Sequence, residues 1–135
     1  MNNTSKKFTV LVVDDEQKIC DLIQLFLSLS PMIGKIVTAN NALQALQKME
    51  NQEFDLVIAD QMMPGKSGLE FLGNLSKSLK YGNMKLLLIS GCLSKDDVQQ
   101  AVRSNIKNIL IKPFTREKLL EKIFQLLDIS PPNKS

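Results

Sequence analysis

Five short apolar segments, separated by stretches with helical spacing, constrain what this chain can fold into. The segments lie at residues 8–13, 35–39, 54–59, 84–89 and 106–111. Their length and their apolar character on both faces are typical of strands inside a parallel sheet. Strands that alternate with helices predict one doubly wound α/β domain, in which five strands lie between layers of five helices.

The segments between the strands carry the spacing of amphipathic helices. Residues 17–29 and 42–49 have apolar side chains three and four positions apart, at Ile19, Leu22, Ile23, Phe26 and Leu27 and at Ala42, Leu43, Ala45, Leu46 and Met49. We expect these side chains to form the buried helix faces.

Capping residues indicate where the helices begin and end. The candidate N-terminal caps are Asn40, Ser67, Ser94 and Thr115. Ser94 and Asp97 have the spacing of a capping box. Asn105 tolerates the left-handed conformation that often ends a helix, here the fourth.

Length and composition are those of one ordinary globular domain. The chain has 135 residues, 44% hydrophobic and 23% charged. We expect the domain to span residues 8–128, between flexible ends at 1–7 and 129–135. No apolar run approaches the roughly 20 residues of a membrane span. The N-terminus lacks the features of a secretion signal, so we expect a cytoplasmic protein without membrane insertion.

Charge and residue types exclude several function classes. The 17 basic and 14 acidic residues are scattered, which gives no support for nucleic-acid binding. The chain has no histidine, so it has no Ser-His-Asp mechanism, histidine metal site or phosphohistidine step of its own. Cys20 and Cys92 are predicted to be free thiols. Carboxylates must therefore carry any chemistry.

Polar residues collect where the predicted strands end. Asp14 and Asp15 follow the first strand, Asp60 the third, Ser90 the fourth and Lys112 the fifth. The carboxyl ends of parallel strands meet at one edge of a sheet, where ligand sites form. Each residue alone is more typical of a cap or a turn than of a functional site. The adjacent Asp14 and Asp15, however, repel each other unless a cation or a proton relieves them.

These residue types suit phosphoryl transfer. Asp14, Asp15 and Asp60 supply the hard oxygen ligands that Mg²⁺ prefers. A carboxylate nucleophile, a lysine that neutralises the transferred oxygens and a hydroxyl donor at Ser90 complete such a site.

Four ordered motifs resemble the response-regulator receiver family over residues 8 to about 127. They are Val12-Val13-Asp14-Asp15, Asp60-Gln61-Met62-Met63-Pro64-Gly65 followed by Ser67-Gly68, Ser90-Gly91, and Lys112-Pro113-Phe114. The resemblance implies strand order 2-1-3-4-5. It also implies a signalling switch of a two-component system, whose phosphoryl donor is a sensor histidine kinase or a phosphotransfer protein.

The resemblance assigns roles to the polar residues. Asp60 accepts the phosphoryl group. Mg²⁺ is held by Asp15, Asp60 and the main-chain carbonyl of Met62, while Asp14 acts largely through water. Such a protein catalyses only its own phosphorylation and dephosphorylation, and is not otherwise an enzyme.

The same resemblance covers the end of the fifth strand. Lys112 contacts the phosphoryl oxygens, and Ser90 donates a hydrogen bond to them. The Lys112–Pro113 peptide bond is expected to be cis, as in the family.

Two departures from the family pattern concern the switch. Ile109 stands three residues before the lysine, where the family usually has tyrosine or phenylalanine, so the usual aromatic rotation is lacking. Asn105-Ile106 replaces the usual Gly-Ala before the fifth strand.

Met62 and Cys92 stand two residues beyond Asp60 and Ser90, and in the family these positions flank the path of the attacking water. Neither side chain can orient that water, which predicts slow self-dephosphorylation. For Cys92, a small, partly buried side chain without a redox role is the simpler interpretation.

The output is expected to be a changed affinity for a protein target, because no effector domain follows residue 127. The predicted contact patch comprises Lys95, Gln99, Arg103, Lys107 and Asn108. The charge distribution permits a monomer or a weak dimer through the fourth and fifth helices.

Two alternative functions stay open. One is a receiver-like module that binds its partner constitutively; Ile109 keeps this alternative open, although the complete set Asp14, Asp15, Asp60, Ser90 and Lys112 argues against it. The other is a Mg²⁺-dependent aspartyl phosphatase of the haloacid-dehalogenase type, although Glu16 stands where its second aspartate is required.

Overall fold

The computed structural model describes residues 7–129, which alternate strictly between strand and helix. The strands are β1 (Phe8–Val13), β2 (Ile33–Ala39), β3 (Leu56–Asp60), β4 (Lys85–Ser90) and β5 (Ile109–Ile111). The helices are α1 (Gln17–Ser28), α2 (Ala42–Asn51), α3 (Gly68–Ser76), α4 (Lys95–Arg103) and α5 (Arg116–Leu126). All strand pairs are parallel, in the order β2-β1-β3-β4-β5, which confirms the predicted fold.

Two apolar clusters, one on each face of the sheet, form the core. Leu11, Val13, Val57, Ala59 and Leu88 pack with buried side chains of α2, α3 and α4. Val10, Val12, Ile58, Leu87 and Ile89 pack with those of α1 and α5. Burial of apolar residues on both faces explains why the strands lack an alternating polar pattern.

The predicted start of β5 is wrong. Ile106 was expected to begin this strand, but β5 contains only Ile109–Ile111. Ile106 is buried, and its N–H donates to the carbonyl of Ala101, so it belongs to the end of α4. Asn105 before it has φ 60°, the left-handed conformation predicted for that position. The bounds of β2, β3 and β4 differ from prediction by one or two residues.

Two predicted helix-face residues and one predicted cap are also wrong. Leu22 and Leu43 are 41% and 67% exposed, because each lies at the margin of the apolar stripe rather than at its centre. Asn41, and not Asn40, caps α2 by accepting from the N–H of Gln44. The caps of the last three helices and the capping box of α4 are confirmed.

The predicted flexible ends, 1–7 and 129–135, lie outside the described residues except for Lys7 and Ile129. Within residues 7–129, every helix is too short or too polar to cross a membrane.

Candidate functional site

The carboxyl ends of the central strands bring three carboxylates together. Asp14 directly follows β1, and Asp60 is the last residue of β3. Asp14, Asp15 and Asp60 each offer an oxygen, and these oxygens all lie within 4.8 Å of one another. The structure thus brings together the three residues that the sequence singled out as metal ligands.

Lys112 balances part of this negative charge. Its ammonium nitrogen lies 2.5 Å from Oδ1 of Asp60. Burial lowers the pKa of Lys112, but the hydrogen bond and the charge of Asp60 together outweigh burial, so the net shift is upward. Lys112 therefore stays an ammonium ion at the pocket. Its peptide bond to Pro113 is cis, as expected.

Both oxygens of the Asp60 carboxylate are engaged. Oδ1 pairs with Lys112, and Oδ2 accepts a hydrogen bond of 2.9 Å from the N–H of Met62. Asp60 is buried, and its carboxylate cannot rotate without losing one of these bonds.

Asp14 is the most enclosed of the three acids, with 1% exposure. Burial raises its pKa from 3.8 to about 6; the N–H of Glu16 opposes this rise, and the charge of Asp60 adds to it. That N–H donates to Oδ1 of Asp14 over 2.9 Å. The ionised pocket is therefore short of positive charge, which a divalent cation would supply.

The oxygen donors fit Mg²⁺, which prefers carboxylate and carbonyl ligands. The soft donor Cys20 is not available to a metal, because its thiol donates to the main-chain carbonyl of Asp14 over 3.4 Å. Burial, followed by the charge of Asp14, raises the pKa of Cys20 to about 11, so the thiol stays protonated.

Ser90 ends β4 beside these residues and is buried. Its hydroxyl donates to the main-chain carbonyl of Cys92 over 2.7 Å. Its own carbonyl accepts from the N–H of Lys112 over 2.8 Å. The Ser90 hydroxyl is thus bonded within its own loop, and it must give up this hydrogen bond before it can donate to a group on Asp60.

Of the residues predicted to tune the switch, Met62 and Cys92 lie at the surface and Ile109 lies beneath it. Met62 is 77% exposed. Cys92 is also exposed, so the prediction that it is partly buried is wrong; the loop after β4 carries it outward. Ile109 is half-buried and packs against the cluster beneath α3 and α4.

Two supporting residues, Gln61 and Gly68, were not recognised as such from the sequence. The buried Gln61 accepts a hydrogen bond of 2.8 Å from the N–H of Leu69. A Cβ at Gly68 would clash with the carbonyl oxygen of Asp60 and lie 2.8 Å from Leu88. Both belong to the quoted motifs, but only tertiary contacts reveal what they do.

The chain is thus a doubly wound α/β domain with an acidic, lysine-containing pocket at the carboxyl ends of its strands. The response regulator receiver domain family matches residues 10–124, and the chain belongs to that family. Receiver domains serve two-component signalling, in which they interact with histidine kinases and downstream effectors.

Similar proteins include chemotaxis protein CheY-3 of Vibrio cholerae, 24% identical over 92% of this chain and 95% of that protein. An uncharacterized 14.6 kDa protein of Leptolyngbya boryana is 30% identical over 96% of this chain and 98% of that protein. The regulator ZraR of Klebsiella oxytoca is 33% identical, but the match spans 25% of its length. A CheY-like receiver domain structure from Methanospirillum hungatei superposes with a TM-score of 0.82 at 28% identity, covering 91% of this chain and 95% of that one.

Proposed function

We propose that this chain is a phosphorylation-dependent switch whose phosphoacceptor is Asp60. The observation that carries the proposal is that the Asp60 carboxylate forms an ion pair with the Lys112 ammonium and also lies within 4.8 Å of carboxylate oxygens of Asp14 and Asp15. A carboxylate that contacts a lysine and shares a cluster of oxygen ligands suited to a metal ion is well placed to attack a phosphoryl group.

The donor is the phosphohistidine of a sensor histidine kinase or phosphotransfer protein. An oxygen of Asp60 bonds to phosphorus, and the phosphorus–nitrogen bond of the donor breaks, leaving its electron pair on the imidazole. Asp14, Asp15, Asp60 and the carbonyl of Met62 would hold Mg²⁺, which neutralises charge on the transferred oxygens.

The remaining groups bind the transferred phosphoryl. Lys112 already contacts Asp60 and needs little movement to reach the new oxygens. Ser90 reaches them by giving up its hydrogen bond to the Cys92 carbonyl. A phosphoryl oxygen is charged and is therefore a stronger acceptor than that carbonyl. Phosphorylation thus favours movement of the Ser90 hydroxyl from the Cys92 carbonyl to the phosphoryl group.

This movement of Ser90 couples the site to α4, because the loop after β4 leads directly into that helix. Ile109 packs beneath this region and is not aromatic, so the coupling works by repacking of aliphatic side chains. The output is a changed affinity for a partner protein at the patch Lys95, Gln99, Arg103, Lys107 and Asn108. All of these residues are exposed except the half-buried Asn108.

Slow loss of the phosphoryl group is part of this proposal. Met62 and Cys92 are exposed at the pocket and offer no side-chain amide or carboxylate to orient a water. We expect a half-life well beyond seconds for the phosphorylated chain, measured by intact mass over time. A half-life of seconds would contradict this assignment.

Intact-protein mass tests the chemistry. The chain is incubated with Mg²⁺ and a small acyl-phosphate donor, and compared with Asp60→Asn and with the matched control Asp55→Asn at the opposite end of the same sheet. We expect one phosphoryl adduct on the wild type and on Asp55→Asn, none on Asp60→Asn and none without Mg²⁺. Mg²⁺ binding without an adduct would instead favour the constitutive interaction module.

Introducing negative charge tests the output patch. Gln99→Glu with Arg103→Glu should weaken binding of the phosphorylated chain to its partner, whereas Lys48→Glu on α2 should leave it unchanged. If the phosphorylated wild type, the double variant and Lys48→Glu bind the partner with equal affinity, this patch is not the output surface.

A further inference from the structure

Gln61 is a buried polar residue whose main-chain and side-chain groups are bonded to two different elements. It directly follows Asp60 and is 7% exposed. Its N–H donates to the carbonyl of Ile89 on β4 over 2.8 Å, and its own carbonyl accepts from the N–H of Gly68 over 3.1 Å. Its side-chain Oε1 accepts from the N–H of Leu69 over 2.8 Å. Gln61 therefore ties the end of β3 to the first turn of α3.

These bonds close the base of the loop formed by residues 62–67. The loop leaves the sheet at Gln61 and returns at Gly68, which is bonded to the carbonyl of Gln61. Gly65 within the loop has φ 79°, a left-handed conformation that favours glycine. The loop also carries the Met62 N–H that fixes Oδ2 of Asp60. Its conformation thus sets the direction of both Met62 and the Asp60 carboxylate.

We propose that Gln61 is a positioning residue that holds this loop in the metal-binding conformation before Mg²⁺ arrives; the inference rests on the proposed magnesium site. A main-chain carbonyl ligand, such as that of Met62, has no side-chain rotamer to adjust, so only the backbone of its loop can aim it. Groups that orient the ligands without touching the metal set its affinity strongly.

Two variants separate positioning from stability. Gln61→Met keeps the length and volume of the side chain but removes the oxygen that accepts from Leu69. Ser67→Ala is the matched control, because Ser67 caps the same helix by accepting from the N–H of Glu70 over 3.2 Å and lies at the far end of the loop. Mg²⁺ dissociation constants are measured by calorimetry at a temperature where all three proteins are folded.

We expect Gln61→Met to bind Mg²⁺ about ten-fold more weakly and Ser67→Ala to bind it as tightly as the wild type. Equal affinity in Gln61→Met and wild type, or an equal loss in Ser67→Ala, would overturn the positioning role and leave the proposed function standing. A wild-type chain without affinity for Mg²⁺ would overturn both.

A measurement on the wild type alone covers the case in which Gln61→Met does not fold. If the Gln61 bond and the metal are coupled, the coupling is mutual, so Mg²⁺ must strengthen that bond. Amide exchange followed by NMR should then slow at Leu69, which Gln61 caps, and much less at Glu70, which Ser67 caps. Equal changes at the two amides would overturn the inference.

Discussion

Replacing Asp14 by asparagine should stabilise the metal-free protein while impairing its function. Asp14 is buried beside two other carboxylates, and its pKa is raised from 3.8 to about 6. The folded state therefore favours the protonated carboxyl, and above pH 6 the ionised form opposes folding. Asparagine has similar size, keeps an oxygen that can accept from the N–H of Glu16, and carries no charge.

The pKa shift gives the size of the effect. A rise from 3.8 to about 6 corresponds to about 3 kcal/mol at roughly 1.36 kcal/mol per unit. The pocket is open to water beside Asp15, which screens part of this, so we expect a gain of about 2 kcal/mol in the free energy of unfolding at pH 7.5. Because the folded-state pKa is raised, the difference is full above pH 6 and disappears as the pH falls below 3.8.

Urea unfolding followed by circular dichroism, with a chelator present, measures this difference at pH 7.5 and pH 4. Asp15→Asn is the matched control: it removes the same charge from an exposed neighbour, and we expect a change of no more than about 0.5 kcal/mol. Saturating Mg²⁺ should stabilise the wild type more than Asp14→Asn, because the proposed magnesium site of the folded state includes Asp14. The reasoning is refuted if Asp14→Asn is no more stable than wild type at pH 7.5, or if Asp15→Asn gains as much.

The same urea assay tests two features of the backbone. Gly68→Ala should destabilise the protein by about 1–3 kcal/mol, because the new Cβ would press on the carbonyl of Asp60. Gly91→Ala, whose Cβ would meet no atom within 4 Å, is its control, and equal losses would show that the close contact is unimportant. Asn105→Ala should lower the free energy of unfolding by about 1 kcal/mol, because φ at this position is 60° and alanine is strained there. An unchanged urea midpoint would show that this strain is absent.

The sequence predicted the alternation of elements and the meeting of polar strand ends, because both follow from local pattern and the geometry of parallel strands. It did not predict where β5 begins: Ile106 is as apolar as a strand residue, but its N–H completes the end of α4. It also did not distinguish two adjacent asparagines. Asn41 caps α2, while the side chain of Asn40 donates to the carbonyl of Asp14, a contact between distant segments.

The hydrogen bond between Gln61 and the start of α3 could not be predicted for the same reason. The partner of Gln61, Leu69, lies eight residues on, across a loop that must first fold. The strand order came from the family resemblance, since the alternation of strands and helices alone is compatible with other doubly wound orders. Local pattern therefore identifies the chemical groups of the site, while tertiary contacts determine how they are held.

The central claim is that a phosphoryl group on Asp60 changes a distant surface. Backbone amide NMR spectra recorded with Mg²⁺, before and after addition of an acyl-phosphate donor, test it most directly. We predict shifts at Ser90 and Cys92 that extend to Arg103 and Lys107, and none in Asp60→Asn. An adduct on Asp60 that shifts only the amides of the pocket would contradict the account.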